Sequence, residues 1–523
     1  MERDLLLEGA LLALADPAIN NKSVANRSAA GIIGMVVGQP QLVRFGAEGF
    51  WRTVYEWFLP DGSTSESPSY GLMTLNGIYE FGEALHGYSD PSDEKRWEKV
   101  DVYGDPRYRQ VWRVMVESLL PSLRYPAIAD SYHATTLPAR FLELLVLRYN
   151  EPQHRALLKA MAGEALSGTD RGFALFHRPP DLPQREFPPL TFRSQLFPEW
   201  RIAFLRTGER GMDATVILSA SHWGGHHHLD SLNLTYHRWG EELLGDLGYL
   251  WDNPMASMTR RTAAHNLVVV DEQEQRTTER GGEFRFFHGG SHVQAAEAQS
   301  QAYAQCDLYR RTVLVVSHDH RRHYVVDIFR VRGGTVHDYL FHGPHHSFSL
   351  EGLSLSPAPS EVKAPYGLQN LRTAKPSGAW RALWTMGEGR TFVAWMLPQA
   401  DETVLWGDGW GQKGGARVHP DPSITLPYVL RRRPAQGRLS VFVSVFVAEE
   451  GEPFVRSAAP LTMEEEGAAA LRIETAQGMD YLFSRMEEGR RSFLMEGRPL
   501  ELEKPLTVLH IRQGEVIWRE EAP

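Results

Sequence analysis

The hydrophobic period of this sequence changes once, and that change limits the chain to a helical part followed by a β part. Before residue 170 apolar positions recur at helical spacing in Phe45, Phe50, Trp51, Val54, Tyr55 and Phe58, and again in Leu137, Phe141, Leu142, Leu144, Leu145 and Tyr149. Pro40, Pro60-Asp61-Gly62, Pro91-Ser92, Pro121 and Pro152 punctuate the pattern, leaving segments of about 15 to 20 residues. Antiparallel pairs of such segments build a helical array or toroid, and no βαβ alternation is present. From 172 to 198 the chain turns proline-rich and irregular. Beyond it the period is two, in Trp200 to Arg206, Ala214 to Ser219, Leu232 to Tyr236, Leu267 to Val270, Val313 to Ser317 and Tyr324 to Val331. Short strands continue to 523, with glycine-rich breaks at 387–389 and 407–415. The expected fold class is multidomain α+β: a helical domain over 1–175, a linker over 176–198, an antiparallel β-sheet domain over 199–375 and a C-terminal β-sheet region over 376–523.

A length of 523 residues is enough for two or three cores. The net charge of −10 argues against a nucleic-acid partner, which needs a basic footprint to displace counterions. An acidic polymer could still meet local clusters such as Arg260-Arg261 or Arg431-Arg432-Arg433. Cys306 is the one cysteine, so a metal site must use histidine and carboxylate. The amino-terminal MERDLLLEGALLALADP reads as neither a signal peptide nor a membrane span. The expectation as written is therefore a cytoplasmic protein with no membrane partner, or a secreted or periplasmic one if the chain is truncated. Nothing in the sequence announces an oligomeric state.

The stretch SHWGGHHHLDS at 221–231 holds three histidines and a carboxylate within five residues. In an extended strand His226, His228 and Asp230 project to one face while His227 and Leu229 face the other. A hairpin turn at His237-Arg238-Trp239-Gly240 brings Asp246 back, and His265 opens the β-prone run Leu267 to Val270. We take His228, Asp246 and His265 as one ligand set, because two imidazoles and a carboxylate suit zinc; calcium is the less favoured ion.

GGHHHLDSLNLTYHRWGEELLGDLGY followed by RRTAAHNLVVVD resembles the heparinase II/III-like polysaccharide lyases, whose pattern is close to G-x-H-x-H-x-D, D-x-G-x-Y and T-x-A-H-N-x-V-x-V-D. Weaker similarity extends to INNKSVANRSAAGIIGMVVG at 19–38, DGSTSESPSYGLMTLNGIYEF at 61–81 and YVVDIFRVRGG at 324–334. The resemblance implies an incomplete (α/α) toroid joined to an antiparallel β-sandwich region, and cleavage of uronic-acid glycans of heparan, hyaluronan or alginate type by β-elimination. It implies that His228, Asp246 and His265 hold zinc, that His226 faces substrate, that Tyr70 is the catalytic tyrosine and that Asn21 contacts the substrate carboxylate. Many relatives have Asn-His where this chain has Asn21-Lys22, and their toroids carry more helices before it.

Elimination removes the weakly acidic C5 proton of a uronate and expels the oxygen on C4. The enzyme must stabilise enolate-like charge, take one proton and donate another. Tyrosine can serve both transfers once positive surroundings depress its ordinary pKa of about 10. In this scheme Tyr70 acts at the scissile oxygen and His226 is the base when proton and leaving group lie on opposite faces. Glu66, one turn before Tyr70, would tune it or cap a helix. Tyr249 and Arg261 complete the substrate-binding set, weighed against an ordinary strand aromatic and a solvated arginine. The zinc is structural, pinning three strands beneath His226. His318-Asp319-His320 with His323, and His342, His345 and His346, read as loop histidines. The alternatives are a noncatalytic glycan-binding protein of the same fold and a zinc-dependent glycan hydrolase.

Overall fold

The structure, a computed structural model, describes residues 8–16, 18–91, 96–163, 166, 171–222, 224–278, 281–414, 419–495 and 498–523. Residues 1–7 and 17 of the amino-terminal reading, Ser92, Trp223 and Gly415 lie outside the described residues. The chain divides into two compact units, one comprising 1–191 with 197–200 and the other 192–196 with 201–523. Among the described residues no helix is long and apolar enough to cross a membrane.

The first unit is helical: α1 (Glu8–Leu14), α2 (Ser23–Val36), α3 (Pro40–Arg52), α4 (Pro68–Leu85), α5 (Pro106–Glu117), α6 (Ala139–Arg148), α7 (Pro152–Ala162) and α8 (Arg171–His177). Proline opens α3, α4, α5 and α7, where its missing N–H costs nothing and its fixed φ suits the first helical turn. The expected breaks at Pro40 and Pro152 are therefore helix starts. Helices α2 and α3 meet backbone to backbone, since a Cβ on Gly46 would lie 2.7 Å from Gly31 Cα. A side chain there would force the pair apart at a cost of about 1–3 kcal/mol.

The second unit is antiparallel β throughout, apart from short helical turns. Strands Ile202–Thr207, Ala214–Ser219, Asn233–Arg238 and Glu241–Leu244 run as a meander. Trp239 and Gly240 make its tightest turn, with φ of 59° and 78°, the pair of left-handed residues that matches strand twist in a two-residue hairpin. Behind it an eight-stranded sheet and a six-stranded sheet share a core. Alternation explains why the eight-stranded sheet is buried on both faces. Val313 and Val315 enter that shared core, whereas Leu314 and Val316 enter a second core with the C-terminal five-stranded sheet.

The expected division at 375 does not coincide with any break between sheets. Strand His323–Gly333 pairs with Ser440–Glu450, and Val336–His342 pairs with Thr425–Pro434, so both large sheets draw strands from either side of it. The C-terminal sheet begins at Val455.

His318, His320, His345 and His346 lie in loops as expected, whereas His323 and His342 are strand residues, and His318 is buried in its loop. The His318 side chain is 1% exposed, and its Nε2 lies 2.7 Å from Asp480 Oδ2. His510 Nδ1 is 2.7 Å from the other carboxylate oxygen, and the Tyr324 hydroxyl donates to Oδ2 at 2.7 Å. His323 is buried at the head of its strand against the Tyr236 hydroxyl, and His342 is buried at the end of its own. His320 and His346 are exposed and His345 is half-buried.

Burial would raise the Asp480 carboxyl, but hydrogen bonds from His318, His510 and Tyr324 overcome it and hold the group below its ordinary value. A depressed carboxyl stabilises the fold fully above the unfolded value of about 4, and the contribution is lost as pH falls through the lower folded value. Thermal melts should show this acid limb in the wild-type protein. Asp480→Asn should be less stable at neutral pH and should lack that part of the acid dependence; an unchanged acid limb in the variant would assign it elsewhere.

Candidate functional site

Residues 224–232 form a loop, not the strand expected. Gly224 accepts the His227 N–H in a tight turn, and His226 sits in the left-handed region at φ 56°. Two-residue alternation therefore does not govern which histidines converge. His227 is buried against His222, with ring centroids 4.6 Å apart. Asp230 is buried and accepts from Ser221.

His228, Asp246 and His265 do come together, all three buried. His228 Nδ1 is 3.3 Å from His265 Nε2, and that nitrogen is 3.6 Å from Asp246 Oδ2. His265 Nδ1 lies 2.8 Å from the Arg261 carbonyl, which fixes the proton there and turns Nε2 inward. Asn233 and the Gly248 N–H each donate to Asp246 at 3.0 Å. Burial pushes the Asp246 carboxyl up, while the two imidazoles oppose the shift.

These separations test the fit to a metal ion. Tetrahedral bonds of about 2.0–2.1 Å place neighbouring ligand atoms roughly 3.3–3.4 Å apart. The 3.3 and 3.6 Å spacings of the first group are of that size. The 2.7 Å contacts of His318, Asp480 and His510 are direct hydrogen bonds instead. Among the described residues both His/carboxylate groups bring three ligand atoms together, and the first is the one spaced at tetrahedral ligand separations.

Two asparagines support the ligand set, and the sequence reading gave neither a role. Asn266 donates to the carbonyls of Leu234 and Gly245 at 2.9 Å, and its N–H donates to Asn233 Oδ1 at 3.0 Å. The segments carrying Asp246 and His265 are thus tied to the strand that follows His228. Asn266 is adjacent to His265 in the motif, and that adjacency was the available signal.

His226 lies outside the ligand set. Its ring meets Tyr249 edge to face with centroids 6.3 Å apart, and the Arg260 guanidinium covers the Tyr249 ring at 5.7 Å. Arg261 is turned to Glu274, 2.9 Å away, and is about two-fifths exposed. Arg260 is therefore the arginine that stacks on Tyr249.

In the helical unit Tyr70 occupies the third position of α4, where its N–H is accepted by the capping Ser67 hydroxyl at 3.3 Å. Ser67 in turn donates to the Asp130 carbonyl at 2.8 Å. Glu66 is not on the helix beside Tyr70. It precedes the cap, with its N–H on Thr64 Oγ1 at 3.1 Å, because Pro68 fixes the helix start and Ser67 supplies the cap. Asn21 donates to Met73 Sδ at 3.3 Å. Met73 lies one turn beyond Tyr70, so Asn21 borders the same face of α4. Lys22 is exposed.

Residues 190–444 match the family described as Heparinase II/III-like, C-terminal. An alginate lyase of Stenotrophomonas maltophilia (strain K279a) is 26% identical in an alignment of 427 positions that covers 72% of this chain and 55% of that protein. The chain thus spans about half the length of this relative. The heparan sulfate lyase HepC of Pedobacter heparinus has a similar fold, with a TM-score of 0.61 at 14% identity over 95% of this chain and 68% of that one. A crystal structure of heparinase III gives 0.61 at 13% identity, covering 91% and 69%. With the motif residues gathered as described, the match shows that residues 190–444 of the chain form a heparinase II/III-like C-terminal family region.

Proposed function

We propose that the protein is a polysaccharide lyase that cleaves a uronic-acid-containing glycan by β-elimination and leaves a 4,5-unsaturated uronate end. The helical unit is read as an incomplete (α/α) toroid. The observation that carries the proposal is the buried cluster of His228, Asp246 and His265, with His226 and Arg260 each against the Tyr249 ring. The likeness to an alginate lyase and a heparan sulfate lyase supports the same class.

The C5 proton leaves to a base as the C4–O bond breaks, the electron pair of the C–H bond becomes the C4=C5 double bond, and the departing oxygen takes a proton from an acid. Tyr70 donates to that oxygen, and where the C5 proton lies on the same face it has first served as base. Its place in the first turn of α4 favours the phenolate, since a helix N-terminus stabilises nearby negative charge by about 0.3–1 kcal/mol. His226 is the base for the opposite face. Asn21 hydrogen-bonds the substrate carboxylate as charge develops there. Tyr249 holds the His226 ring, and Arg260 adds positive charge against the Tyr249 ring. His228, Asp246 and His265 would hold a zinc ion, which supplies a fixed positive charge that cross-links three segments.

Incubation with alginate, heparan sulfate and hyaluronan, read by ultraviolet absorbance of the new double bond, tests the reading. Reducing ends without absorbance would identify a hydrolase. Binding with neither product would identify a noncatalytic glycan-binding protein.

A further inference from the structure

The β unit contains a cavity of about 250 Å³ whose walls come from four separate segments: Met255 to Ala264, Tyr366 to Gln369, Asp408 to Trp410 and Pro422 to Tyr428. Its chemistry is uneven in an informative way. The polar tips of its aromatic residues are committed to the protein: the Trp410 N–H donates to Gln412 O at 3.2 Å, the Tyr428 hydroxyl to Trp410 O at 2.9 Å and the Tyr366 hydroxyl to Asp338 Oδ2 at 2.5 Å. These side chains therefore offer the cavity ring surface. Glycine at 409 permits this, because a Cβ there would lie 2.5 Å from the Tyr428 ring.

The polar groups of the lining can still take part in recognition. Arg261 uses Nε on Glu274, and a guanidinium carries four further N–H donors. Asp408 accepts from Asn370 Nδ2 at 2.6 Å through Oδ2; a carboxylate has capacity for more. An apolar aromatic wall with a cation and a carboxylate beside it suits a pyranose, whose C–H face stacks on a ring while its edge hydroxyls and carboxylate seek charged partners. The volume lies just below the lower end of small-molecule sites, about 300 Å³, and suits one sugar ring.

The location connects this cavity to the candidate site. Ala263 and Ala264 line it immediately before His265, and the carbonyl that holds His265 Nδ1 belongs to Arg261. We infer that this cavity is a subsite for a sugar unit of the polymer distinct from the one that undergoes cleavage, stacked on Trp410 and held by Arg261 and Asp408. The inference rests on the lyase reading for its substrate, but none of its residues belongs to the proposed catalytic set.

The test compares wild type with Trp410→Ala and Trp410→Phe on size-fractionated oligosaccharides of alginate, heparan sulfate and hyaluronan. Trp410→Ala should raise KM about tenfold for the longer oligomers, leave kcat and the KM for the shortest cleaved oligomer unchanged, and be largely rescued by phenylalanine. An equal KM rise at every length would mark general distortion and overturn the subsite, as would no change at any length in a folded variant. If the wild type makes no unsaturated product, the lyase reading fails by itself. Calorimetric binding of the same oligosaccharides then decides the subsite: weaker binding by Trp410→Ala supports it, and equal or undetectable binding to both proteins overturns it.

Discussion

Tyr70→Phe is expected to lower the rate of unsaturated-product formation by about 10²–10⁴-fold, the contribution typical of one positioned acid or base, while melting like the wild type. The substitution removes a single oxygen. The features that start α4, Pro68 at its first position and Ser67 capping the Tyr70 N–H, involve the backbone and other side chains and survive it. The phenol is half-buried, so the change leaves no cavity of the size that destabilises a core. His226→Gln gives the informative comparison. If proton and leaving group lie on one face, Tyr70 carries both transfers and the histidine variant loses less than the phenylalanine variant. If they lie on opposite faces, the two losses are comparable. Wild-type rates in Tyr70→Phe, with circular dichroism unchanged, would falsify its assignment and move the acid to another group.

The residues of this site differ in how far sequence alone reveals them, and the differences have physical causes. His228, Asp246 and His265 were legible because each sits in a short motif and each is only one hairpin or loop from the next, so local chain reversal brings them together. Extending strand alternation back through His226 failed because Gly224 and a left-handed His226 turn the chain there, and period-two reasoning holds only while φ and ψ stay extended. Glu66 falls immediately before the cap and not on the helix for a similar reason, as the proline and the capping serine define the helix start more sharply than apolar spacing does. The missed boundary was of another kind. Strand His323–Gly333 finds its partner more than a hundred residues later, in Ser440–Glu450, and no local pattern encodes which distant strand will be chosen. His318 is legible only once Asp480 is known to be its partner. The cavity at Trp410 depends on four such distant segments at once.

Asp246→Ala and His228→Ala should each lower metal content and thermal stability together. Without the Asp246 carboxylate, the Asn233 amide and the Gly248 N–H lose their acceptor in a buried site, at about 1–3 kcal/mol for each unsatisfied group. Two imidazole nitrogens 3.3 Å apart then lose the nearby Asp246 carboxylate. Any ion bound only by the folded protein adds its own linkage term, about 2.7 kcal/mol when its free concentration is a hundred times the dissociation constant. A chelator separates the two contributions: it should lower the melting temperature of the wild type and leave both variants where they are. His226→Ala should retain both metal and melting temperature, because that ring lies against Tyr249 outside the ligand set. Elemental analysis that finds no metal in the wild type, together with a melting temperature indifferent to chelator, would leave these three residues as a hydrogen-bonded cluster. The stability loss in Asp246→Ala would then report only the orphaned donors, and the position of His226 would depend on the Asn233 and Asn266 amides instead of on an ion.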